Sequence, residues 1–310
     1  MDKRFAGRGA ALTLTGGTLW GFSGTCGQFL MQTKGLTSNW LVPVRLVAAG
    51  TLLLLLCCLR EGKGVFDIWK HDRAGIIVFG VFGMSMCQYT YFTAISASNA
   101  GTATVLQYIG PVLILVYLAL RHRKWPTAME LLAICLAVAG TFFLATHGKP
   151  GTMALSQKAM FWGLLSAVAL AVYTVQPGYL LEKYGSLVVT AWGMLIGGLM
   201  LCVLFRPWTI PVQADVQVVA GMAAVVVSGT VAAFSCYMEG VRCVGPKKGS
   251  LFASVEPVSA TVFSVVWMHA MFEWMDFVGF LCILSTIFLL AMDKEKARDH
   301  GYKIQIRSQH

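Results

Sequence analysis

Glu256 stands near the start of a long apolar stretch, GSLFASVEPVSATVFSVVWMHA over 249–270, and Pro257 follows it at once. Such a stretch is long enough to cross a bilayer. A carboxylate inside a span is costly, so it faces a partner or a wet cavity. There it can bind a substrate amine or take up a proton as the cavity changes sides. The plainer use is a structural acid hydrogen-bonded to a neighbouring helix. Pro257 frees a backbone carbonyl one turn earlier and bends the helix. Arg45 is the other charge inside an apolar run. It can receive a substrate carboxylate as a fork, pair with Glu256 as a latch, or snorkel to the outer surface; the structural or latch role is the expectation. If both charges face one cavity, a zwitterion could bridge them.

Amides, hydroxyls and aromatic rings gathered before helix-breaking prolines suit a binding cavity. Gln107 and Tyr108 precede Pro111, and Tyr173 and Gln176 precede Pro177. With Gln88, Trp20 and Gln28 they complete the candidate substrate-binding set. Tyr91 and Tyr237 lie near expected span ends and are assigned to the interfacial belt. His269, Glu273 and Asp276 read as a solvated rim, because a metal site needs converging ligands. His71, His122 and His147 fall in loops and carry no signal. No metal or cofactor is expected.

Ten apolar segments must position these residues: 11–31, 40–59, 74–95, 102–120, 128–146, 159–181, 187–205, 216–238, 250–270 and 274–292. The chain is 57% hydrophobic and only 12% charged, where a soluble domain has about a quarter charged residues. The expected fold class is an all-α integral membrane protein. Its runs are continuous, without the alternation of barrel strands. Of 24 Lys and Arg, nineteen fall on one side if the N-terminus is cytoplasmic, four on the other, and Arg45 within a span. That bias puts both termini in the cytoplasm. It also accounts for the net charge of +10 as a topology signal, so no nucleic-acid partner is expected. Nine cysteines without metal or redox spacing read as small buried hydrophobes.

The chain repeats. At an offset of 146, Tyr91 meets Tyr237, Pro111 meets Pro257, Val112 meets Val258, Met129 meets Met275, Glu130 meets Asp276 and Phe142 meets Phe288. At nearby offsets, Trp20-Gly21 meets Trp162-Gly163 and Gly50 meets Gly198. Five spans per copy is an odd number, so the second copy is inserted upside down, the plan of secondary transporters. The expected units are 10–146 and 159–292, a join at 147–158, and a basic cytoplasmic tail at 293–310.

Five plus five spans, the Trp-Gly opening of each half, and the Pro111 and Glu256-Pro257 helices resemble the EamA-type proteins of the drug/metabolite transporter superfamily. The likeness covers about residues 10–292. It implies a cavity surrounded by spans one to four and six to nine, with spans five and ten at the periphery. Members mostly export small metabolites, amino acids among them. Where they often carry an acid at the ends of the fourth and ninth spans, Glu273 fits, but the first half has Arg121, His122, Arg123 and Lys124. The leading reading is a secondary exporter in a bacterial plasma (inner) membrane, acting on a small-molecule substrate. An importer or multidrug exporter of the same fold is the alternative. Nothing resembles an ATP-binding loop. A membrane-embedded enzyme would need a nucleophile–base set or metal cluster at one depth. A non-transporting partner or sensor is the remaining class. Spans five and ten face either membrane lipid or a second copy in a homodimer.

Overall fold

The computed structural model describes residues 3–123, 125–149 and 154–307. Lys124, the middle of the expected join and the last three residues of the expected tail lie outside the described residues. Helix is the only regular secondary structure among the described residues. This suits a bilayer, where a helix satisfies its backbone polar groups within one segment.

The main helices are α1 (Lys3–Gln32), α2 (Ser38–Glu61), α3 (Arg73–Ala97), α4 in two pieces (Ala100–Gln107 and Gly110–His122) and α5 (Ala128–Thr146). The second half supplies α6 (Gln157–Val175), α7 (Ser186–Phe205), α8 (Val216–Val244), α9 in two pieces (Pro246–Ala253 and Val255–Val266) and α10 (Trp274–Arg307). Among the described residues, seven stretches, those of α2 to α8, are long and apolar enough to cross a membrane. Two shorter apolar helical stretches, Val255–Val266 and Trp274–Leu290, accompany them.

Side chains at the starts set several helix boundaries. The side chains of Asn99, Ser156 and Asp215 accept the backbone N–H of Thr102, Ala159 and Val218, which satisfies donors that have no partner within the helix. Thr127 and Glu130 form a full capping box before α5. The Glu130 carboxylate accepts the Thr127 N–H at 2.8 Å. Its repeat counterpart does the same: Asp276 accepts the Glu273 N–H at 2.8 Å. The matched acids are therefore helix caps.

The irregularities also recur. α4 breaks at Tyr108 and Ile109, and α9 breaks at Ser254, 146 residues after Tyr108. A π-helical segment interrupts α3 at Phe79–Met84, and another interrupts α8 at Ala224–Ala232. Each pairs with the other at nearly the same offset. The expected sixth span, 159–181, is cut by Gln176 and Pro177, after which a short helix, Gly178–Tyr184, follows.

Residues 1–110 and 155–271 form one compact unit; residues 111–154 and 272–310 form another. In the first, α2 packs on α7, α1 on α8 and on α9, α3 on α6, and the first piece of α4 on α6 and α9. Exchanging the halves turns this set of pairs into itself. At the α2–α7 crossing, a Cβ on Gly50 would meet Leu195 N at 2.6 Å, and one on Gly198 would meet Val47 N at 2.8 Å. The core holds Leu30, Leu41, Leu46, Phe79, Met84, Phe92 and Ile95. In the second unit, α5 packs on α10. A Cβ on Gly140 would meet the Gly279 carbonyl at 2.8 Å, and one on Gly279 the Gly140 carbonyl at 2.9 Å. Small residues let membrane helices approach this closely. All nine cysteines are free; Cys135 is exposed, whereas Cys243, outside the apolar runs, is buried.

Candidate functional site

Tyr108 and Glu256 meet where the two broken helices face each other. Tyr108 sits at the break of α4, and Glu256 in the first turn of the second piece of α9. The Tyr108 hydroxyl donates to Glu256 Oε2 at 3.1 Å and lies 3.4 Å from the Ala253 carbonyl. Pro257 has no N–H, so the carbonyl four residues back, that of Ala253, lacks its helical donor. One hydroxyl thus stands before two acceptors created by Glu256-Pro257. The helix N-terminus at Val255 also favours negative charge. α1 closes on this point: a Cβ on Gly21 would meet the Glu256 carbonyl at 2.8 Å.

Arg45 is only 5% exposed, well inside α2. It does not snorkel. Its Nη1 donates to Gln88 Oε1 at 2.7 Å, and its guanidinium lies 4.6 Å from the centre of the Phe92 ring. Nε is buried without a hydrogen-bond partner. Among the described residues, no ion pair joins Arg45 to Glu256 or to another acid. The two charges nonetheless share neighbours, because Cys87 and Tyr91 each lie within electrostatic range of both. Gln107 Nε2 is 3.8 Å from Cys87 Sγ, and the Tyr91 hydroxyl is 2.7 Å from Thr104 Oγ1. Tyr91 is therefore buried between α3 and α4 rather than part of an interfacial belt.

Other expected residues surround this polar line. Tyr173 packs its ring 5.4 Å from Phe79 and lies within electrostatic range of Cys87 and Tyr237. Trp20 packs against Phe234 and Tyr237 at 5.0 and 5.1 Å. Gln28 is 2% exposed and acts as a hub. Its Oε1 accepts the Ala100 N–H at 2.9 Å and the Ser264 hydroxyl at 3.1 Å, while its Nε2 donates to Gln32. One amide thus ties α1 to α4 and α9. Gln176 stands apart. Its Nε2 reaches the Gly75 carbonyl at 3.4 Å, and its Oε1 is buried without a partner. Pro111 is the second residue of the second piece of α4, and Pro177 begins the turn into Gly178–Tyr184.

Two groupings were not foreseen. Cys87, Tyr91, Phe92 and Thr104 link the arginine to the broken helices; the 146-residue match of Tyr91 to Tyr237 was the available signal. In the second unit, His147 Nδ1 lies 3.0 Å from Glu273 and Nε2 3.0 Å from Asp276. His147 thus takes the place expected of His269 beside these acids. No metal-binding group occurs among the described residues. Outside the spans, Asp72 accepts from Lys183 at 2.7 Å and Tyr184 at 2.6 Å. The Lys183 ammonium, then Tyr184, holds the Asp72 carboxyl below its ordinary value of 3.8. Lys34 pairs with Asp215 at 2.6 Å.

The EamA-like transporter family matches residues 7–146 and again residues 157–292. The chain belongs to this family, within the drug/metabolite transporter superfamily, and is a membrane transporter rather than an enzyme. It is 35% identical over 291 residues to an uncharacterised inner membrane transporter, YicL, of Salmonella typhimurium, covering 93% of this chain and 97% of the relative. It is 29% identical to an uncharacterised transporter, YetK, of Bacillus subtilis, covering 81% of this chain and 77% of that one. A solved protein crystal structure superposes with a TM-score of 0.60 at 17% identity, over 91% of this chain and 98% of that one. That last likeness concerns the fold alone.

Proposed function

We propose that this protein is a secondary transporter that exports small metabolites, such as amino acids, by alternating access. The site lies where the broken helices α4 and α9 meet, with Glu256 and Tyr108 at its centre and Gln107, Gln88, Tyr173, Trp20 and Gln28 around it. The hydrogen bond between Tyr108 and Glu256 is the observation that carries this reading. Interrupted helices from two repeats, converging on an ionisable group, form the usual substrate and ion site of secondary transporters. The exchange of packing pairs between halves supports an inverted repeat of five spans each, ten in all, with α1, α9 and α10 completing the count. The Lys and Arg bias supports cytoplasmic termini. The inner membrane relative supports a bacterial inner membrane. Export, rather than import, follows the general habit of the family it resembles.

The test is counterflow in liposomes containing the purified protein, with a panel of labelled amino acids and other small metabolites. Exchange of one substrate class, absent from protein-free liposomes, is the expected result. No exchange across the panel would overturn the transport of these metabolites.

A further inference from the structure

We infer that Arg45 is the receptor for a carboxylate carried by the substrate, and that Gln88 holds its place until the substrate arrives. This rests on the transport reading of the same site and specifies its ligand. A guanidinium cannot shed its charge by deprotonation. Buried charges are normally paired, and one left unpaired is costly. Arg45 is buried and inside a span, yet its contacts among the described residues are neutral: the Gln88 amide oxygen at 2.7 Å and the Phe92 ring at 4.6 Å. Its Nε proton has no acceptor. An amide oxygen and a ring face compensate a cation only in part. The guanidinium therefore lacks a full acceptor among the described residues.

A carboxylate fits what is missing. Two oxygens match the guanidinium fork. The other Lys and Arg lie in the connecting segments, at helix ends or in the tail, so one positive charge is available within the spans. A single charge matches a monoanion better than a doubly charged phosphate. Gln88 is only half-buried and holds Arg45 by a bond that is charged on the donor side alone, which a carboxylate, charged on the acceptor side as well and able to accept at two points, outcompetes. The substrate carboxylate replaces the Gln88 oxygen, and no covalent bond changes.

The experiment follows thermal unfolding of the detergent-solubilised full chain with matched pairs: L-phenylalanine and L-phenylalaninamide, L-leucine and L-leucinamide, phenylacetate and phenylacetamide. At least one acid should raise the unfolding temperature while its amide does not, and Arg45→Gln should abolish the difference. Gln88→Ala, which keeps the arginine, should bind the acid more tightly, by about threefold or more. Without ligand, Arg45→Gln should unfold at the same or a higher temperature, because an incompletely compensated charge is removed. Equal responses to acid and amide, no response to any acid, persistence of the difference in Arg45→Gln, or a lower ligand-free unfolding temperature would each overturn the assignment. Counterflow separates the two readings. Binding of acids without exchange sinks the transport reading and leaves Arg45. Exchange of amides as readily as acids sinks Arg45 and leaves the transporter.

Discussion

The two broken helices occupy equivalent places in the two family matches, yet they are furnished differently. At the second position before its proline α4 has Ile109, and immediately before it Gly110; α9 has Val255 and Glu256. A Cβ on Gly110 would meet Leu170 Cδ2 at 3.0 Å and the Ala167 carbonyl at 3.2 Å, so α4 lies close against α6 and a side chain there would force α6 to give. Facing α9, Gly21 of α1 abuts the Glu256 carbonyl, and its match Gly163 of α6 abuts Leu106 of α4. Each half thus keeps a glycine on the facing helix, but the second alone carries an acid before its proline. The first half contributes Tyr108 to that acid instead. A symmetric scaffold thus holds an asymmetric site.

Exchanging the furniture should break this arrangement most severely. Gly110→Glu should destabilise the protein by about 3 kcal/mol or more, since overpacking adds to the burial of an unpaired acid. Thermal unfolding in detergent checks this, and a native-like unfolding temperature would remove the steric account. Tyr108→Phe should leave Glu256 without its hydroxyl donor, at a cost of roughly 1–2 kcal/mol. The same unfolding measurement checks this, and an unchanged unfolding temperature would deny Tyr108 that role.

The repeated caps offer a finer comparison. Glu130→Ala should cost about 0.5–1 kcal/mol, as capping residues do. Asp276→Ala should cost more, because Asp276 also meets His147 at 3.0 Å. Equal costs would mean that His147 contributes nothing there. The smallest effect should come from Asp72. Lys183 and Tyr184 hold its carboxyl below the ordinary 3.8, and Asp72 first among its neighbours raises Lys183 above the ordinary 10.5. The tie therefore contributes above the ordinary carboxylate value and is lost as the pH falls through the depressed one. On the basic side it persists below the ordinary lysine value and is lost as the pH rises through the raised one. Unfolding followed against pH should show a shallow loss at the acid end that Asp72→Asn removes.

Much of this was legible in the chain itself, for identifiable reasons. Continuous apolar runs announce membrane helices, and the 146-residue register placed Pro111 over Pro257 and Glu130 over Asp276. Glu256 stood out because a carboxylate in a span needs a reason. Partners were less visible. That Tyr108 reaches Glu256, that Arg45 rests on Gln88 and Phe92, and that Gln28 ties three helices together depend on which helix faces align across long separations. Apolar periodicity says little about this when lipid and protein interior are equally greasy. Tyr91 was misjudged for that reason, since a tyrosine near an expected span end can equally turn inward to Thr104. His147 was missed because its partners lie more than 120 residues away.

The central claim is that Glu256, at the meeting of the two breaks, serves transport rather than structure alone. The most direct test compares native protein with Glu256→Gln in liposome counterflow across a range of pH, using a substrate that the native protein exchanges. The glutamine is nearly isosteric and can still accept the Tyr108 hydroxyl, so folding should survive. The account predicts that exchange is lost or becomes independent of pH in the variant. Exchange of native rate and native pH dependence would contradict it.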